Sequence, residues 1–167
     1  MDEGAHDVYA AMISDALGRE YDRKQSLEQR GLAVITTAGT LVSLIFGFAV
    51  FAGAKAIHLP LAAKVLLGLG LAAFLLAAVF GLQINRPLGS YYAPVAVKDL
   101  REAVKPGNWT GEPVEAARQI AVFQVSELDS WRNGNGIKAN ALHRAVAAET
   151  AGVALITAGI LALIFSS

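Results

Sequence analysis

Cysteine is absent from this chain of 167 residues, and histidine occurs only three times. Without cysteine there is no thiol nucleophile. The histidines, His6, His58 and His143, fall in three separate segments, with no HExxH or other clustered ligand spacing. No serine stands in a G-x-S-x-G elbow. These absences argue against an enzyme, and they predict neither a metal site nor a cofactor.

Charged residues are also scarce, at 17% of the chain, whereas hydrophobic residues make up 54% and the mean hydropathy is +0.47. The apolar residues are concentrated in three blocks, 31–54, 60–82 and 145–165, whose only charges are Lys64 and Glu149. At about 1.5 Å per helical residue, each block reaches roughly 30 Å, the thickness of a bilayer hydrocarbon core. A helical bundle in water is the alternative, but its helices would need a charged outer face. The sequence therefore predicts three transmembrane helices.

The first apolar block could also belong to a secretory signal peptide. It is too long for the hydrophobic region of such a peptide, and the residues before it are rich in acids. We therefore expect this segment to be retained in the mature protein. The acids are Asp2, Glu3, Asp7, Asp15, Glu20, Asp22 and Glu28.

The basic residues are unevenly distributed along the chain, although the formal net charge is zero. A balanced net charge gives no global field for nucleic acid, and no nucleic-acid partner is predicted. The link between the first two blocks offers only Lys55. The positive-inside rule therefore places the N-terminus and the long loop in the cytoplasm, and the link and the C-terminus outside. The bases assigned to the cytoplasm are Arg19, Arg23, Lys24, Arg30, Arg86, Lys98, Arg101, Lys105, Arg118, Arg132, Lys138 and Arg144.

The predicted fold class is an all-α integral membrane protein, with three transmembrane helices and cytoplasmic amphipathic helices, assembled as a helical-bundle oligomer. The N-terminal helix is expected to continue straight into the first span. A second long helix is expected from about residue 112 into the third span, with a weak joint at 134–136, where two Asn-Gly pairs occur. The predicted segments are a cytoplasmic helix (1–30), a two-span hairpin (31–83), a cytoplasmic helical region (84–144) and the third span (145–167).

Small and polar residues are spaced at helical intervals within the first span. Thr36, Thr40, Ser43 and Gly47 are separated by four, three and four residues, so they share one narrow side of a helix. We call this row the polar ridge. One interpretation is close contact with another helix, because small residues let backbones approach and hydroxyls bond across the interface. The other is that the polar ridge faces a water-filled lumen in an oligomer.

Glu149 lies about one turn inside the third span, where an acid is costly against lipid. Two interpretations remain open. It sits at headgroup depth, solvated or paired with Arg144 or Lys138, or it faces a pore. In the second case the pore should prefer cations.

Three stretches carry a family resemblance: "EYDRKQSLEQRG" before the first span, "NRPLGSYYAP" after the second and "NGNGIKANALHRA" before the third. With the order of the spans, they resemble small bacterial membrane effectors of nucleotide-signalling antiphage systems, namely the Pycsar transmembrane effectors and, more loosely, the SLATT-type two-span effectors. The resemblance implies a protein of the bacterial inner (plasma) membrane. Such a protein senses a cyclic nucleotide made during infection and permeabilises that membrane.

No recognisable nucleotide pocket accompanies this resemblance. A phosphate would need cytoplasmic bases, for which Arg101, Lys105, Arg118 and Arg132 are candidates, with Trp109 or Trp131 to stack on a base. Each of these residues can instead be merely solvated or interfacial. The partners expected are therefore the lipid bilayer, further copies of the chain and a cyclic nucleotide. The alternative function is a structural or accessory subunit of a larger membrane complex.

Overall fold

The computed structural model describes residues 5–54, 60–87, 101–102, 105 and 113–165, and no strand occurs among them. Nearly all of these residues belong to three helices: α1 (Ala5–Ala54), α2 (Leu61–Asn85) and α3 (Pro113–Ile164). The all-α prediction is confirmed. Within residues 88–112 the structure describes Arg101 and Glu102, which are helical, and Lys105, which lies in a bend.

Helices α1 and α3 are longer than a membrane crossing needs, so part of each lies outside the apolar region. They contain 50 and 52 residues, whereas about 20 residues suffice to cross a bilayer. Each helix therefore combines an apolar span with a long charged extension. The predicted continuity of α1 is confirmed. The joint at 134–136 does not interrupt α3, and Pro113 occupies its first position, where the missing N–H has no intrahelical partner to lose.

All three helices are long and apolar enough to cross a membrane, which suggests a multi-pass membrane protein. Large apolar side chains cover their outer faces, and Leu44, Val50 and Leu61 are 64%, 73% and 77% exposed. Contiguous apolar surface is unfavourable in water, whereas lipid solvates it. The prediction of three candidate spans is confirmed at this level.

The chain divides into two compact units, which are described separately. The first unit contains Met1–Ser26 and Pro87–Ile137, and the second contains Leu27–Arg86 and Lys138–Ser167. Both α1 and α3 contribute residues to both units. The second unit contains the three apolar blocks of the sequence, and the first contains the charged extensions.

The second unit is packed through small residues that repeat at intervals of three and four. Such a 3.5-residue period keeps one seam of each helix toward its neighbours, as in a left-handed coiled coil. Leu27, Ile84 and Ala141 form one buried cluster, and a second cluster lies beside it. The buried positions are Leu27, Gly31, Val34 and Ala38 in α1, then Ala63, Gly70, Phe74, Ala77, Gly81 and Ile84 in α2, then Lys138, Ala141, Ala145, Gly152 and Gly159 in α3.

Contacts at three glycines show the relative direction of the three helices in this unit. A Cβ atom on Gly81 would lie 2.7 Å from Cγ1 of Ile35, and one on Gly70 would lie 2.7 Å from Cγ1 of Ile156. A Cβ atom on Gly159 would meet Leu67 at 3.3 Å. Residues with higher numbers in α1 and α3 therefore contact residues with lower numbers in α2. Helix α2 runs antiparallel to both, as three successive membrane crossings require.

The first unit pairs the N-terminal part of α1 with the first half of α3. The rings of Tyr21 and Trp131 lie 5.9 Å apart, and Asn135 is fully buried. Apolar side chains in the first half of α3 are only partly covered, because Val114 and Val125 are exposed while Leu128 is half-buried. Polar and aromatic contacts therefore contribute much of the packing in this unit.

Candidate functional site

The polar ridge lies on the outward side of α1. Thr36, Thr40, Ser43 and Gly47 are all exposed. The buried positions of α1 precede the ridge positions by about two residues, and two residues correspond to a rotation of about 200° around a helix. The ridge and the packed seam therefore occupy opposite faces. Among the described helices, neither α2 nor α3 covers the polar ridge.

The hydroxyl groups of the polar ridge are bonded within α1. Thr36 Oγ1 donates to the carbonyl oxygen of Leu32 at 3.0 Å, Thr40 Oγ1 to that of Thr36 at 2.9 Å, and Ser43 Oγ to that of Gly39 at 2.9 Å. Such bonds satisfy the donors without a second helix. Each hydroxyl oxygen still has a lone pair for another donor. The ridge can consequently meet lipid, a second chain or water.

Glycines divide between the two faces of the spans. A Cβ atom added to Gly39, Gly47 or Gly68 would meet nothing within 4 Å, whereas one on Gly152 would lie 3.0 Å from Cε1 of Phe74. Gly47 therefore does not serve a contact between helices of one chain. If it permits close packing, the neighbouring helix belongs to another chain.

Glu149 is half-buried in α3, at the border of the packed seam that contains Gly152. Of the two bases proposed to pair with it, Arg144 is exposed and Lys138 binds Glu28. Eleven residues of helix separate Lys138 from Glu149, a distance of roughly 16 Å along the axis. Among the described residues, no hydrogen bond or ion pair joins Glu149 to the polar ridge of α1.

The buried Lys138 is a polar residue that sequence reasoning did not assign to the core. Its side chain is 2% exposed, and Nζ donates to Oε1 of Glu28 in α1. The two residues are 110 positions apart in the chain. A signal was nonetheless present in the sequence, because Lys138 precedes Ala145, Gly152 and Gly159 at intervals of seven residues.

A second buried polar contact occurs in the first unit. Asn135 Nδ2 donates to the backbone oxygen of Glu20 at 2.8 Å and to its Oε2 at 2.9 Å. The other carboxylate oxygen of Glu20 lies 3.6 Å from Nε of Arg132. Both amide hydrogens of Asn135 thus have an acceptor, which a buried amide requires. The two Asn-Gly pairs, at which a weak joint was expected, lie inside α3, and Asn135 bonds to α1.

Three of the four bases proposed to bind a phosphate have an acidic neighbour. Lys105 Nζ lies 2.5 Å from Oε2 of Glu102, and Arg118 Nη1 lies 3.6 Å from Oε2 of Glu115. In both pairs the partners are three residues apart in the chain, and their side chains are exposed. Arg132 is the base that neighbours Glu20. Arg101 is exposed, and Trp109 lies outside the described residues.

Two of these bases are too far apart for a single phosphate group. Arg118 and Arg132 both belong to α3, and the 14 residues between them correspond to roughly 21 Å. Trp131, the other candidate for stacking, already contacts Lys24, whose Nζ is 5.5 Å from the ring centroid. Its indole N–H donates to Oε1 of Glu127 at 3.2 Å. Arg118 and Arg132 of one chain therefore cannot bind the same phosphate group.

Within the described ranges, no three side chains of His, Asp or Glu converge as a group that could hold a metal ion. Comparison with family profiles, with curated proteins and with solved structures gives no match for this chain.

Proposed function

We propose that this protein is a membrane effector that assembles with further copies of itself and permeabilises the bilayer in response to a cyclic nucleotide, in defence against phage. The observation that carries the proposal is the exposed polar ridge of α1. A row of hydroxyls and an open glycine on the outer face of a span is available to other chains. In an oligomer it would either seal adjacent chains or border water between them.

Assembly is part of the proposal because the described helices pack tightly where their contacts are seen. At Gly81 and Gly70, α1, α2 and α3 meet at distances that leave no space for a methyl group. Packing of this kind leaves no room for water or ions at those two levels. A conducting pathway would therefore lie between chains, and the polar ridge is the polar surface of α1 that can border it.

The nucleotide in this proposal comes from the family resemblance. The exposed cations Lys105 and Arg118 support it weakly, because each is neutralised by an acid on the adjacent turn. Exposed pairs of this kind contribute only about 0.3–0.5 kcal/mol. A phosphate group could therefore displace the acids at small cost, with charge-assisted bonds in their place.

The test is dye leakage from liposomes that contain the purified protein, with and without a panel of cyclic nucleotides. We expect leakage that depends on one nucleotide and that falls several-fold when Thr40 and Gly47 are both replaced by Leu. Gly68→Leu is the matched control, because Gly68 is equally open but lies on α2. Equal leakage from the ridge variant and the wild type would exclude the polar ridge from the pathway.

Two further variants separate sensing from conduction. Replacing both Arg101 and Arg118 with Ala should abolish the response to nucleotide if these cations hold the phosphate. Glu149→Gln should change the ion preference without changing the nucleotide response if Glu149 borders the pathway. An unchanged response in the double Arg variant would remove those residues from the sensor.

A second candidate function is a structural or accessory subunit of a larger membrane complex. The local pairing of Lys105 and Arg118 with acids, and the distance between Arg118 and Arg132, favour it, because these bases do not converge on one anion. On this proposal the protein co-purifies with a larger partner and liposomes stay sealed with every nucleotide. A purified homo-oligomer that conducts ions would contradict it.

A further inference from the structure

The end of α2 that carries Asn85 bears a groove of about 460 Å³ on the outer surface of the second unit. Its lining residues are Val79, Leu82, Gln83, Asn85 and Arg86. Val79, Leu82, Gln83 and Arg86 are separated by three, one and three residues, so they share one face of the helix. All four are exposed. None of them belongs to the packed seam of α2.

The groove is apolar at one end and cationic at the other. Val79 and Leu82 supply the apolar part, and Arg86 lies two helical turns from Val79, roughly 10 Å along the axis. Gln83 adds an amide that can donate hydrogen bonds. An apolar strip that ends in a guanidinium matches a phospholipid, whose acyl chains are joined through glycerol to a phosphate group.

Local backbone chemistry fixes Arg86 at the mouth of the groove. The following residue is Pro87, which disfavours helical geometry in the residue before it. Arg86 accordingly has φ −68° and ψ 133°, and its backbone N–H donates to the carbonyl oxygen of Gln83 at 3.3 Å. Within the described ranges, its guanidinium forms no hydrogen bond or ion pair.

Positive charge is concentrated at this end of the second unit. The close approach of Gly31 to Asn85 places the nearby Arg30 there, and the cluster of Leu27, Ile84 and Ala141 places the start of the third span at the same level. Arg30, Arg86 and Arg144 are all exposed. At the other end of α2, Lys64 is the charged residue that the structure describes. Basic clusters at the boundary of a span attract anionic lipids.

We propose that this groove binds one anionic phospholipid. Its phosphate lies on the Arg86 guanidinium, its glycerol ester group beside Gln83 and one acyl chain along Leu82 and Val79. The site goes beyond the proposed permeabilising function and does not depend on it, because an accessory subunit would have the same groove. A guanidinium can bind a phosphate in a bidentate manner, which a general surface charge does not provide.

The experiment uses the full chain, purified in detergent and freed of lipid, and counts bound lipids by native mass spectrometry. Phosphatidylglycerol should bind more tightly than phosphatidylcholine. Arg86→Gln should weaken phosphatidylglycerol binding by about fivefold. Leu82→Trp should weaken it by filling the groove without removing charge. Glycerol 3-phosphate, which lacks acyl chains, should not compete.

Two matched controls keep the test specific. Arg144→Gln removes an exposed arginine of the same end, and Leu69→Trp adds the same ring to an exposed leucine of α2 outside the groove. Both should change phosphatidylglycerol binding by less than about twofold. Equal losses in Arg86→Gln and Arg144→Gln would overturn the proposal in favour of general attraction. Unchanged binding in Leu82→Trp, equal affinity for the two lipids, or competition by glycerol 3-phosphate would overturn it as well.

Discussion

At the scale of single residues, glycine has two different environments in the spans. Gly81 allows α2 to approach α1 so closely that a Cβ atom would lie 3.1 Å from the backbone oxygen of Gly31. Gly68 in the same helix has open space around it. Composition and hydropathy do not distinguish the two, because both are glycines in the same apolar block.

Gly81→Ala should therefore destabilise the second unit, whereas Gly68→Ala should not. The added methyl group at position 81 would displace both the side chain of Ile35 and a backbone, at a cost of about 1–3 kcal/mol. At position 68 the only effect is the better helix propensity of alanine, worth up to about 1 kcal/mol. Unfolding in mixed detergent micelles, followed by circular dichroism, would measure the difference. Equal stability of the two variants would contradict the close approach.

The ion pair between Lys138 and Glu28 permits a second prediction at this scale. Lys138→Met removes the buried cation and its ion pair with Glu28. Because Glu28 keeps 32% of its side-chain exposure, we discount the usual cost of breaking a buried pair to roughly 1–2 kcal/mol. Adding Glu28→Leu should recover much of that loss, since two apolar residues can replace a buried pair. A double variant less stable than Lys138→Met would refute this account.

At the scale of elements, α1 and α3 are each far longer than a bilayer is thick. Their continuity follows from local chemistry, since neither contains proline after its first residue. The glycines at 134 and 136 weaken α3 by about 1 kcal/mol each relative to alanine, but they do not remove a hydrogen bond. The contact between Asn135 and Glu20 opposes local fraying at that point in the first unit.

Asn135→Ala should destabilise the pairing of the two helices in the first unit. It removes two hydrogen bonds to Glu20, whose carboxylate is 13% exposed, and leaves acceptors without their donor. The expected cost is about 1–3 kcal/mol. Hydrogen exchange of the α1 backbone over residues 7–26 would report it as lost protection.

Asn133→Ala is the matched control for that measurement. Asn133 is exposed, and its amide donates to Oδ2 of Asp129 in the same helix at 3.4 Å, so its loss should change little. If both variants lose the same protection in α1, helix propensity and not the contact with Glu20 is the cause.

At the scale of the whole molecule, the absence of cysteine makes the proposed orientation directly measurable. Single cysteines can be introduced as Ser14→Cys, before the first span, and His58→Cys, in the link between the first two. With the N-terminus in the cytoplasm, a membrane-impermeant maleimide added to intact cells should label His58→Cys and spare Ser14→Cys. Labelling of both after permeabilisation is the control. The opposite pattern would reverse the orientation.

Local sequence was enough to predict the all-α fold class and the three candidate spans. Uncharged runs long enough to cross a bilayer can satisfy their backbone only as helices, whatever their neighbours are. The same local chemistry predicted that α1 continues from the charged segment into the first span and that α3 is one long helix with a weak joint at 134–136. These features depend on residues adjacent in the chain, and they were readable without knowing any contact.

Which side of each helix is covered is seen from the packing of the helices against one another. The polar ridge and the packed seam of α1 repeat at the same intervals of three and four residues, and the partners of Gly31 and Val34 distinguish them. Hydropathy also excluded Glu28 and Lys138 from the packed region because each is charged. Together they neutralise one another across 110 residues of chain, and a local pattern cannot express a pairing over that distance.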